Sequence, residues 1–161
     1  MAKDFLMVKH IDFIIAVRRI KLLGIAITVG IIAIYLFGLT VSGSNHRENF
    51  EIVNFLSLIL LIVLILISFL VKKMLLKKVN LSNFESTFFN AYIFPYAVLD
   101  FGALFCISTN LFVNENILYA TSGVLLSVIT MFLFFPKEEY FENLRNDTIQ
   151  SDTASVTKDK D

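Results

Sequence analysis

The sequence predicts an all-α polytopic membrane protein, an antiparallel bundle of four transmembrane helices with both ends in the cytoplasm. Three observations carry that prediction. Hydrophobic residues make up 57% of the chain, above the roughly 45–50% of soluble domains. They gather into four long runs, whereas a soluble amphipathic helix keeps its apolar residues on one stripe with charges opposite. Finally, Lys and Arg cluster in three segments that share one side of a membrane only if the chain crosses four times.

Residues 1–21 form a cytoplasmic N-terminal segment in which Phe5, Val8, Ile11, Ile14 and Ile15 lie near one helical face, with Lys3, Lys9, Asp12 and Arg19 elsewhere. That pattern suits a helix lying in the membrane interface, or a cytoplasmic extension of the first span. The charges interrupt every apolar stretch there, so a cleavable signal is not expected. The transmembrane domain covers 22–135, with spans at about 22–41, 52–71, 88–113 and 117–135. The first, second and fourth are free of charge, and about 20 residues suffice to cross the hydrocarbon. The third holds Pro95 and one acid, Asp100. Ser82 and Glu85 stand at capping-box spacing before it, which predicts a helix start near Asn83. The connections, roughly 10, 16 and 3 residues long, leave no room for a soluble domain. Beyond Pro136, the segment 136–161 reads as a cytoplasmic, largely disordered tail with little apolar surface to bury.

Orientation follows from the basic residues. Lys3, Lys9, Arg18, Arg19 and Lys21 precede span one, Lys72, Lys73, Lys77 and Lys78 follow span two, and Lys137, Arg145, Lys158 and Lys160 follow span four. Of the 14 basic residues only Arg47 is left for the outer loops. Both termini are therefore expected inside.

Several function classes find no support in the chain. Its net charge is zero, which argues against a basic nucleic-acid-binding domain. The single cysteine, Cys106, permits neither an intramolecular disulfide nor a cysteine metal site. His10 and His46 fall on opposite sides of the membrane and cannot share a metal. No phosphate loop, nucleophile elbow, HExxH or paired-cysteine motif occurs. No cofactor and no catalytic residue is expected, and the chain does not read as an enzyme.

In lipid, helix contacts are sought where small and polar residues share a face. Ala26, Gly30, Ala33 and Phe37 on span one, and Ala120, Gly123, Ser127 and Thr130 on span four, read as packing seams. Span two, almost all Leu and Ile, is expected to face lipid most. The one chemically unusual residue is Asp100, because a carboxylate at mid-helix costs about 2.5–3.5 kcal/mol on insertion scales. Counting in fours sets Tyr92, Tyr96, Asp100 and Ser108 on one side as a candidate intramembrane polar site, with Pro95 able to kink the helix beside it. Three readings stay open: a tie to another helix through Asn54, Ser57, Ser127 or Thr130, an acid that carries a proton or cation, and exposure in a water-filled groove for ligand or lipid.

The last two spans, with Asp100 at mid-helix, a short turn at Asn114–Asn116, and Phe134, Phe135 and Pro136 followed by charges, resemble a pattern in small uncharacterised bacterial four-helix inner-membrane proteins. In general design the hairpin is also similar to the proteolipid c subunit of rotary ATPases. It departs from that subunit in placing the acid on the first helix, in lacking glycine-rich packing and in following two further spans. The resemblance implies a multi-pass protein of the bacterial inner membrane, and through the c subunit it implies ion transport. The expected function is a non-enzymatic structural or accessory component of a membrane assembly, whose partners are the lipid bilayer and other membrane subunits or further copies of itself. The alternative is ion or proton translocation through Asp100.

Overall fold

A computed structural model describes residues 2–41, 51–79, 84–113 and 116–137. Those residues are 93% helical and contain no strand. Four elements follow in order: α1 (Ala2–Val41), α2 (Glu51–Leu76), α3 (Phe84–Ile107) continued by a π-helix (Ser108–Val113), and α4 (Ile117–Leu133). Three helices are long and apolar enough to cross a membrane, and α4 is a shorter apolar helix of 17 residues.

The N-terminal segment and the first span are one helix of 40 residues. Between the two possibilities open for that segment, the chain takes the extension. No Gly or Pro interrupts Phe13–Leu23, and the run there is mostly good helix formers, so nothing in it turns the chain into the interface plane. At 1.5 Å per residue α1 is about 60 Å long, roughly twice the hydrocarbon thickness. Its first half needs other cover, and it finds some. Phe13 packs against Phe84 and Phe88 with ring centroids 5.6 Å away in each case, and Phe84, Phe88 and Tyr92 stack on along α3 at 4.8 and 5.0 Å.

Contacts along the chain fix the directions. Climbing α1 through Phe13, Gly24 and Gly38 meets α3 at Phe84 and Phe88, then Tyr96, then Leu111, so these two helices run parallel. Climbing α2 through Ser57, Leu61 and Lys72 meets Asn110, Gly102 and Tyr92, so α2 runs against α3. Tyr35 bonds Thr121 at 2.6 Å and Thr28 reaches the Met131 sulfur at 3.5 Å, so α4 runs against α1. The helices therefore alternate up and down, as short connections between neighbours require. Half of α3's most apolar stretch is buried, against 22% for α1 and α2, which makes α3 the central helix and leaves α1 as open as α2.

Two ends differ from the sequence reading. The fourth helix was expected to reach Phe135 but stops at Leu133, with Phe134 as its C-cap bonding back to Thr130 and Met131. Pro136 accounts for this, since the residue before a proline is pushed out of helical geometry. The third helix runs on through Pro95, but its last six residues widen into the π-helix. The capping box at Ser82 and the tail beyond Lys137 lie outside the described residues.

Candidate functional site

The four residues of the candidate polar site do not share one surface. Tyr92 and Tyr96 are buried in the core, Asp100 is half-buried, and Ser108 is exposed. The cause is the helical repeat: each step of four residues overshoots a full turn by about 40°, so sixteen residues carry Ser108 about 160° round from Tyr92. Tyr96 and Leu111 both meet α1, at Gly24 and Gly38. Asp100 is one turn past Tyr96 and three turns short of Leu111, close to the same line. It therefore sits on the α1 edge of α3, at about the height of Thr28 and Gly30. Among the described residues it makes no hydrogen bond or ion pair.

The polar side chains considered as partners for Asp100 are engaged elsewhere. Ser127 and Thr130 donate to the carbonyls of Gly123 and Leu126, four residues back on their own helix. Such bonds let a hydroxyl lie in an apolar bundle without a partner across it. Ser57 donates to the Asn54 carbonyl at 2.7 Å and accepts from the Asn110 amide at 2.8 Å.

Asn110 is the polar residue that sequence reasoning missed. Its side-chain nitrogen donates to Ser57 on α2 and to the Cys106 carbonyl at 2.7 Å, and lies 3.2 Å from the Cys106 sulfur, while its own carbonyl accepts from the Asn116 amide at 2.7 Å. Through its fully buried side chain Asn110 thus joins α2 to the end of α3, and through its backbone carbonyl it holds the start of α4. Among the described residues its Oδ1 has no partner, nor do the buried hydroxyls of Ser68 and Tyr96. The signal was in the spacing: Asn110 stands eighteen residues, five full helical turns, beyond Tyr92, on the buried stripe that also carries Leu99, Ala103 and Cys106.

At the other end of the bundle Lys72 reaches inward. Its ammonium donates to the Phe134 carbonyl at 2.9 Å and lies 4.6 Å from the ring centroids of both Tyr92 and Phe134. A cation here meets an unpaired carbonyl at the C-terminal end of α4, where the helix dipole favours positive charge. Phe69 adds an edge-on contact to Phe134 at 4.5 Å. These contacts fasten α2, α3 and α4 together at one level.

The two seams of small residues behave differently. Ala120, Gly123, Ser127 and Thr130 on α4 are all buried, with Gly123 directly against Cys106. On α1, by contrast, Ala26 and Ala33 are exposed, Phe37 is 63% exposed, and a Cβ at Gly30 would meet nothing within 4 Å. Among the described residues nothing lies within 4 Å of a Cβ at the centre of this seam. The α1 face that does pack inward carries Gly24, Thr28, Ile31, Tyr35 and Gly38.

The described residues contain no group of three or more His, Cys, Asp or Glu side chains able to hold a metal. The side chains of His10 and His46 lie outside those described. No protein-family model, no curated protein and no solved structure matches the chain.

Proposed function

We propose that the chain is a four-span integral membrane protein, with both termini cytoplasmic, that acts without catalysis as a structural or accessory component of a membrane assembly. The observation that carries this reading is the outward seam Ala26–Gly30–Ala33 on α1. Helices in lipid associate through close backbone approach at small residues and through shared polar contacts. Asp100 supports the same reading, because it is half-buried at the adjoining edge and lacks a partner among the described residues. A second membrane helix, from another copy or another subunit, would cover the seam and offer the acid a hydrogen-bond donor. The hairpin's likeness to bacterial inner-membrane proteins supports that membrane as the location.

A second reading is favoured by the same half-exposure of Asp100: a carboxyl reachable from the flank of the bundle can take up and release a proton or cation.

Blue-native electrophoresis of the full chain in mild detergent tests assembly. A discrete species larger than the monomer is expected, together with its loss in Gly30→Leu. The thermal melt of the variant monomer should not fall, because the leucine enters open space and glycine is a poor helix former. A wild-type chain that runs only as a monomer, or a Gly30→Leu chain with an undiminished complex, would contradict the proposal.

A further inference from the structure

Beyond the seam, the cytoplasmic part of α1 carries two shallow concavities side by side. One, of about 240 Å³, is lined by Phe13, Ile14, Val17, Arg18 and Lys21. The other, of about 280 Å³, is lined by Ile14, Ile15, Arg18, Arg19 and Leu22. Arg18 and Ile14 belong to both. Arg18 and Arg19 are exposed, and neither they nor Lys21 make a hydrogen bond or ion pair among the described residues. Asp12, six residues before Arg18, is turned about 120° away from it around the helix.

The height of these residues identifies their surroundings, given the membrane reading on which this inference rests. The charge-free run begins at Leu22, so Arg18, Arg19 and Lys21 fall within about one helical turn, some 5 Å, of the hydrocarbon edge. The headgroup layer on each side is about 5–8 Å deep. Immediately beyond, Leu22 is 62%, Ile25 45% and Val29 58% exposed, an apolar track leading from the basic residues into the bilayer. Positive-inside topology alone asks for charge at this level, but not for charge set between apolar-walled hollows that continue into an exposed aliphatic track.

We propose that this end of α1 is a binding site for an anionic phospholipid, with the headgroup phosphate on the Arg18 and Arg19 guanidinium groups and an acyl chain along Leu22, Ile25 and Val29. A guanidinium fork matches phosphate oxygens in pairs, which an ammonium point charge does not. The neutral headgroup of phosphatidylcholine adds a cation that these residues repel.

Native mass spectrometry of the purified, delipidated full chain, titrated with phosphatidylglycerol or phosphatidylcholine of the same acyl chains, tests the site. The wild-type chain should retain phosphatidylglycerol at several-fold lower concentration. Arg18→Gln and Arg19→Gln should each weaken that preference about fivefold, from the roughly 1 kcal/mol that one basic residue contributes near an anionic surface. Lys77→Gln, on the other basic segment, should leave it unchanged, and Arg18→Lys should keep only part of it. Thermal melts confirm that each variant is folded. Equal retention of the two lipids by the wild-type chain, or equal loss in Lys77→Gln and Arg18→Gln, would overturn the proposal. So would displacement of the lipid by excess inorganic phosphate, which would make this a site for the free ion. Carbonate extraction of the same chain from vesicles separates a failure of the site from a failure of the membrane reading, since a peripheral protein would be released.

Discussion

Gly123→Leu should abolish the native bundle, the largest effect expected of any single change described here. A Cβ placed on Gly123 falls on the Cys106 sulfur, lies 3.2 Å from the Cys106 Cβ and 3.6 Å from Leu61 Cδ2. Helices α2, α3 and α4 meet at that point; the sulfur can swing about its Cα–Cβ bond, but the Cys106 Cβ is fixed to the α3 backbone and gives way only if the helix moves. Overpacking a tight core by even one or two methylenes costs about 1–3 kcal/mol, whereas replacing a mid-helix glycine gains only about 0.5–1 kcal/mol. The steric term wins for Ala and by more for Leu. Thermal melts should therefore show Gly123→Ala destabilised and Gly123→Leu unfolded or aggregated. Cys106→Ala combined with Gly123→Ala should recover part of the loss, because the sulfur is the atom struck. A Gly123→Leu chain that melts like wild type would mean that α3 and α4 do not touch here.

The second large effect concerns Asp100, and the structure changes what is expected of it. An acid that tied α3 to another helix would destabilise the fold when removed. Because Asp100 has no partner among the described residues, Asp100→Leu should leave the isolated chain as stable as wild type or more stable, removing up to about 2.5–3.5 kcal/mol of mid-membrane charge cost. The loss should instead appear in assembly: Leu cannot accept a donor from a neighbouring helix, so the larger blue-native species should dissociate, while Asp100→Asn should retain it. Proteoliposomes loaded with a pH-sensitive dye discriminate the ion-carrying reading. If Asp100 carries protons, Asn abolishes flux in a folded protein. If it is an assembly contact, wild type and Asn are alike in flux. A Leu variant that melts well below wild type would show an intrachain partner for the acid.

The long charge-free runs made the helices legible, and Pro136 was a visible stop whose effect reaches two residues further back than the apolar run suggested. Recognition of the α4 seam also followed from the residues themselves, since Ala120, Gly123, Ser127 and Thr130 all turn inward. The α1 seam looked equivalent on paper and points the other way. Which face of a helix packs inward depends on its neighbours, here Tyr35 finding Thr121 and Gly24 receiving Tyr96, and no spacing on α1 alone encodes that choice. The polar site was misread for a geometric reason: counting in fours is sound over one or two turns and fails over four. Asn110 was legible and was passed over: eighteen residues, five full turns, separate it from Tyr92, so the plain helical repeat sets it on the buried stripe with Leu99, Ala103 and Cys106.

Four crossings with both termini inside form the claim on which the assembly face, the lipid site and the role of Asp100 all depend. Labelling a single cysteine tests it most directly. In a Cys106→Ser background, with the only thiol supplied by Lys77→Cys just beyond α2, a membrane-impermeant maleimide should react only after the membrane is opened. The exposed position of residue 77 makes the thiol accessible once the reagent can reach it. Full labelling of intact cells or right-side-out vesicles would place the α2–α3 connection outside and contradict the topology with both termini inside.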